Sequence, residues 1–145
     1  MKILGISDAH NASACLVEEG VVVAALQEER ITRIKNDHTF PAGAIDWVLR
    51  STGTSPAELD RIAVSSFYVH RPYTRDDLMR WMDNLDSVPT RLRRVAGHTP
   101  ARTIRARQRR NERLAELRRL GLPVERAHFV DHHTCHAAAA YHGSP

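Results

Sequence analysis

Short apolar runs set off by turn residues dominate the first part of the chain. Lys2–Ser7 (KILGIS), Ser13–Glu18 (SACLVE) and Val21–Gln27 (VVVAALQ) each have the length and β-branched content of a buried strand. Glu19-Gly20 is a tight hairpin signal between the second and third, because Gly20 accepts positive φ at no steric cost. Asp8–Asn11 forms the turn before the second. A helical period follows: Pro41 suits a first helical turn, Ala44, Ile45, Val48 and Leu49 recur at 3- and 4-residue spacing, and Gly53 ends the run. Thr54-Ser55-Pro56-Ala57-Glu58-Leu59 reads as the capped start of one more helical turn, and Arg61–Phe67 as a fourth strand.

Beyond the fourth strand the pattern changes. Asp76–Leu85 carries a helical stripe of Leu78, Trp81, Met82 and Leu85, and Ala101–Leu120 is a longer, arginine-rich helical stretch. Together they predict a helical, Arg-rich insertion over residues 69–125 with a thin core of its own, which must pack on something outside itself. Ala127–Val130 (AHFV) is the fifth strand, and Asp131 opens an alanine-rich helix. The order β-β-β-α-β-α-β-α predicts an α/β fold. Its meander followed by βα units resembles one lobe of the actin, sugar-kinase and Hsp70 superfamily, a ribonuclease H-like lobe.

Composition narrows the class. Apolar residues make up 42% and charged residues 26%, a globular composition that argues against disorder. No apolar run approaches the roughly 20 residues that span a bilayer, and MKILGISDAH is too brief and polar for a secretory signal, which predicts no membrane and a cytoplasmic protein. Cys15 and Cys135 cannot make a disulfide framework. The net charge of +4 is concentrated: residues 91–119 hold eleven arginines against Glu112 and Glu116. Clustered arginine is an electrostatic footprint of nucleic-acid binding, but this stretch has no aromatic residue to stack on bases, which argues against nucleic acid and leaves a partner domain or an acidic substrate as readings.

Three segments carry candidate chemistry. In Asp131-His132-His133-Thr134-Cys135-His136, His132 and His136 project from one helical face and can share a metal ion, with further ligands from elsewhere; an exposed helix start with ordinary histidines is the competing reading. His133 and Cys135 are rival ligands, and Cys135 is read as a small packing residue. In Asp8-Ala9-His10-Asn11-Ala12-Ser13, small and hydrogen-bonding residues at a turn can approach an anion, and His10 can accept a proton near neutral pH; a plain Asx-type turn is the alternative. In Glu28-Glu29-Arg30-Ile31-Thr32-Arg33-Ile34-Lys35, the cations can meet a phosphate or carboxylate, or merely form a solvated connection.

These pieces taken together resemble the NodU/CmcH-type O-carbamoyltransferases. The resemblance lies in MKILGISDAHNASACLVEEGVVVAALQEERITRIKNDHTFPAGAIDWVL and returns in VDHHTCHAAAAYHGSP, about half of the chain. The His-x-x-x-His alone is shared with the tRNA threonylcarbamoyl-transferase family, whereas EER…R-x-K-x-D followed by FP favours the carbamoyltransferases.

The resemblance implies a reaction. Carbamoyl phosphate and ATP give a carbamoyladenylate, whose carbamoyl group passes to the hydroxyl of a small molecule in natural-product biosynthesis. His132 and His136 match the family's metal-binding histidines, which implies a divalent metal, Fe(II), near the nucleotide phosphates. His10 matches a first-turn histidine placed to deprotonate the acceptor hydroxyl, and Lys35 a basic residue of the transfer site, with Arg33 and Arg30 as further cations. Asn11 and Ser13 join Arg33 as phosphate- or substrate-binding candidates. The family's second actin-like half, its YrdC-like domain and its aspartate metal ligands are expected beyond Pro145, so the 145-residue chain is read as one incomplete lobe, inactive alone. A threonylcarbamoyl-transfer protein acting on tRNA and a non-catalytic binding module are the alternative readings.

Overall fold

The computed structural model describes residues 1–8, 11–65 and 100–142. The three apolar runs form β1 (Lys2–Ser7), β2 (Ser13–Glu18) and β3 (Val21–Gln27), joined with β4 (Arg61–Ser65) and β5 (Ala127–Val130) into one mixed sheet. Its order is β3-β2-β1-β4-β5. β2 is antiparallel to both β1 and β3, whereas β4 lies parallel to β1 and β5 parallel to β4. A meander followed by two returning crossovers produces this arrangement, since parallel neighbours require a long connection. The β2–β3 turn has φ 49° at Glu19 and 83° at Gly20, the double positive φ of a two-residue hairpin whose twist matches its strands.

One face of the sheet carries the core. Leu4, Ile6, Ala14, Leu16, Ile62 and Val64 alternate inward along their strands and are buried. Helix α2 (Ala42–Ser51) covers them with Ala44, Ile45, Val48 and Leu49, the four positions of the sequence period. Burying each large side chain contributes about 1.5–3 kcal/mol, so this stripe anchors the lobe. Pro41 sits at the N-cap and Gly53 takes φ 63° just past the helix. The following turn is 3-10, Pro56–Glu58, held by a reciprocal Ser55/Glu58 capping box.

The charged run after β3 contains a single helical turn, α1 (Glu29–Thr32), which apolar periodicity did not signal. The long helix α3 spans Pro100–Arg119. Its last turns belong to the main core: Leu117 is fully buried, Leu122 follows it, and Leu114 and Leu120 pack alongside. The helical stripe expected at 76–85 and the end of the fourth strand at Phe67 lie outside the described residues. Helix α4 (His132–His142) leaves β5 with Ala137, Ala138, Ala139 and Ala140 exposed. No helix among the described residues is long and apolar enough to cross a membrane.

Candidate functional site

The first turn and the basic loop, more than a dozen residues apart in sequence, are fastened together through Ala12. The Ala12 N–H donates to the Asp37 carbonyl at 2.8 Å, and the Ala12 carbonyl accepts from the Glu28 N–H at 2.8 Å. The segment from Glu28 to Asp37 is thus a loop closed at its base on a buried residue two positions past His10.

Three carboxylates hold that loop in shape. Buried Glu28 accepts from the N–H groups of Gly43 (3.1 Å) and Ala44 (2.6 Å), so its charge caps the N-terminus of α2. Gly43 is required there, because a Cβ would stand 2.9 Å from a Glu28 carboxylate oxygen. Glu29 accepts from the Asn36 N–H at 3.0 Å. Buried Asp37 accepts from the Thr39 N–H (2.8 Å), the Thr39 hydroxyl (2.7 Å) and the Thr32 hydroxyl (2.7 Å). The Thr39 amide, with these hydroxyls, holds the Asp37 carboxyl below the usual carboxylate range.

The loop's cations are treated differently. Arg33 and Lys35 are exposed and make no ion pair among the described residues. Arg33 ends α1 with φ 62°, its N–H donating to the Glu29 carbonyl at 2.9 Å. Arg30 is exposed and its guanidinium stands 3.9 Å from Glu29. Asn11 (φ 59°) and Asn36 (φ 57°) occupy the left-handed region, which asparagine tolerates.

A cleft of about 620 Å³ opens on the sheet face opposite the core. Gly5, Cys15, Ala25 and Ala63 floor it, and Ser7, Ser13, Gln27, Arg30, Ser65 and Cys135 stand around it. The small residues are geometrically linked, since a Cβ on Gly5 would lie 2.7 Å from the Cys15 sulfur. Ser13 and Arg30 therefore share one cavity, which Asn11, Arg33 and Lys35 do not line. Cys135, read from sequence as a packing residue, faces this cleft; burial, and secondarily Asp131, raise its thiol above the ordinary value.

At the carboxyl end of β5, Asp131 caps α4, its carboxylate accepting from the N–H groups of His133 (3.0 Å) and Thr134 (3.2 Å). This start sets the two Nε2 atoms of His132 and His136 2.9 Å apart. Two imidazole nitrogens, each about 2.0–2.1 Å from one cation, stand roughly 2.9–3.4 Å apart for right-angle to tetrahedral coordination, so the pair fits a shared ion. Among the described residues no group of three or more His, Cys, Asp or Glu side chains surrounds such a position. His10 lies outside the described residues.

Two site residues escaped the sequence reading. Arg113, on the buried stripe of α3, forms a buried ion pair with Asp8 at the end of β1 and donates to the Arg109 carbonyl at 2.9 Å. Burial raises the Asp8 carboxyl more than Arg113 lowers it, and Asp8 Oδ1 has no hydrogen-bond partner among the described residues. An arginine standing between Ala106 and Leu117 at helical spacing was the available signal. For Glu28 the signal was a helix start at Phe40-Pro41-Ala42-Gly43 with no local capping side chain, which leaves its first N–H groups needing a distant acceptor.

The model of the carbamoyltransferase N-terminus matches residues 2–145. An uncharacterized protein of Synechocystis is 37% identical over 150 residues, covering 99% of this chain and 23% of the relative. An uncharacterized protein of Methanocaldococcus jannaschii is 38% identical over 66 residues, covering 46% of this chain and 12% of the relative. The nodulation protein NolNO of Sinorhizobium fredii is 39% identical over 54 residues, 37% of this chain and 8% of that protein. The chain thus spans less than a quarter of the length of each of these three relatives. With its family model matched almost end to end, the chain belongs to the carbamoyltransferase N-terminal family.

Proposed function

We propose that this chain is the N-terminal lobe of an O-carbamoyltransferase that passes a carbamoyl group from carbamoyl phosphate, through an ATP-derived carbamoyladenylate, to a hydroxyl of a small molecule. The observation that carries the proposal is the division of labour in the clamped loop. Its acids are turned onto backbone N–H groups and hydroxyls, whereas Arg33 and Lys35 stay exposed with no ion pair among the described residues, on a loop tied at its base to Ala12. Cations carried on a braced loop suit an anionic donor, because the backbone that presents them is set before the ligand arrives. The strand order supports a ribonuclease H-like, actin-type lobe, in which ligands gather at the carboxyl ends of the parallel strands.

In the proposed step the acceptor oxygen attacks the carbamoyl carbon, its proton passes to His10, and the bond to AMP breaks with AMP leaving on the electron pair. Lys35, with Arg33, offsets the negative charge developing on the carbamoyl and phosphate oxygens. His132 and His136 would hold a divalent ion such as Fe(II), which when bound supplies charge neutralisation at phosphate oxygens. The ATP-using domain and the remaining metal ligands belong, on this reading, to other parts of the transferase. The test is pyrophosphate release from ATP by the full-length protein, the step that forms the carbamoyladenylate before any acceptor is present. Release that requires carbamoyl phosphate is the expected result, and release indifferent to carbamoyl phosphate contradicts the proposal.

A further inference from the structure

We infer that Thr32 and Asp37 are positioning residues that fix Lys35 for the carbamoyl donor, an inference that rests on the function proposed above. Lys35 stands between two braced neighbours. The Ile34 N–H donates to the Thr32 hydroxyl at 3.4 Å, and the Asn36 N–H donates to Glu29 at 3.0 Å. The Thr32 hydroxyl in turn donates to Asp37 at 2.7 Å, and the Asp37 carbonyl ties the same loop to Ala12 at 2.8 Å. An unbroken chain of hydrogen bonds therefore runs from the backbone next to Lys35, through Thr32 and Asp37, to the first turn.

Among the described residues packing holds the tip of the loop only weakly: Ile34 is 60% exposed, and Ile31, 45% exposed, has its Cδ1 beside Gly43 of α2. Without the Thr32–Asp37 bond the loop keeps its base on Ala12 but loses the cross-brace that orients its tip. The side chain in question is a long, flexible lysine whose usefulness toward a small anion depends on where its backbone points. Glu28 is excluded from this role, because its carboxylate serves α2 and its loss would disturb the core.

The experiment is calorimetric titration of the full-length protein with AMP, the leaving group whose phosphate Lys35 is proposed to face, with thermal melting alongside, for wild type, Thr32→Val, Thr32→Ser, Asp37→Asn and Lys35→Met. Thr32→Val keeps the shape and removes only the hydroxyl, so it remains informative if Asp37→Asn does not fold. Affinity is expected to fall about tenfold in Thr32→Val and Asp37→Asn, approaching the Lys35→Met value, and to return to within about twofold of wild type in Thr32→Ser. A melting midpoint lowered in Thr32→Val with affinity unchanged would make the latch structural only and overturn the inference. Loss of binding in Lys35→Met with Thr32→Val and Asp37→Asn at wild-type affinity overturns it while leaving the proposed function standing. Wild type that fails to bind AMP, or binds it no better than Lys35→Met, removes the assignment of Lys35 in the proposed function and this inference with it.

Discussion

The clamped loop between Glu28 and Ala44 and the carboxyl edge of the parallel strands both carry candidate site residues, yet they are satisfied to different degrees. In the loop each buried carboxylate is fully used: Glu28 takes two helix N–H groups and Asp37 takes three donors, so burial and a depressed carboxyl coexist. At the strand edge, buried Asp8 has one oxygen on Arg113 and the other without a partner among the described residues, and its carboxyl is raised by burial. The His132 and His136 Nε2 atoms converge there with no three-ligand cluster among the described residues. The difference teaches that burial alone does not set the state of an acid; the count of donors reaching it does. It also separates a loop whose acids each meet several donors from an edge where, among the described residues, Asp8 relies on Arg113 as its one side-chain partner.

The sharpest way to break this comparison is at the strand edge. Arg113→Met leaves Asp8 buried without its cation and is expected to cost about 3–5 kcal/mol, read from denaturant melts; adding Asp8→Asn should restore part of that loss. A cost below about 1 kcal/mol would show the pair to be solvated and the contrast with the loop to be false. Within the loop, Glu28→Ala removes two hydrogen bonds to a charged group and is expected to cost about 3 kcal/mol, with faster amide exchange at Gly43 and Ala44. Asp131→Ala should cost about 1 kcal/mol and loosen α4 while leaving the sheet amides protected, because the first N–H groups of that helix lose their acceptor.

The smallest effect is a slope with pH. Asp37 is depressed in the folded lobe, so its contribution is fully present above the ordinary aspartate value of about 3.9 and is lost as pH falls through its lower folded value. Thermal melts of Asp37→Asn should therefore fall less steeply into acid than those of the wild type. Equal slopes would mean that Asp37 is not preferentially stabilised as the carboxylate.

Legibility in the sequence followed the range of each interaction. The Glu19-Gly20 hairpin, the Ala44-Ile45-Val48-Leu49 face and the Ser55/Glu58 box involve neighbours within a few residues, and each stands where the pattern put it. The meander and the order of later elements were legible, and with two crossovers they leave few arrangements for the sheet. The caps and pairs formed across the fold were not legible. Glu28 reaches Gly43 and Ala44 fifteen and sixteen residues away, and Arg113 reaches Asp8 across 105. In the linear sequence Glu28 looked like one more charge in a solvated run, and Arg113 like one arginine among many. The candidate residues themselves were readable by type and spacing, as with His132 and His136, but their support was not, because charge composition does not say which acids turn inward.

The proposal that His132 and His136 share a metal ion is tested most directly by anaerobic calorimetric titration of the full-length protein with Fe(II), using Zn(II) as the control metal, for wild type, His132→Ala and His136→Ala. The account predicts saturable binding of one ion that either substitution abolishes, because both Nε2 atoms are needed at the 2.9 Å spacing. Binding that survives both substitutions, or no binding by the wild type, would contradict it and leave the pair as two histidines on an exposed helix start.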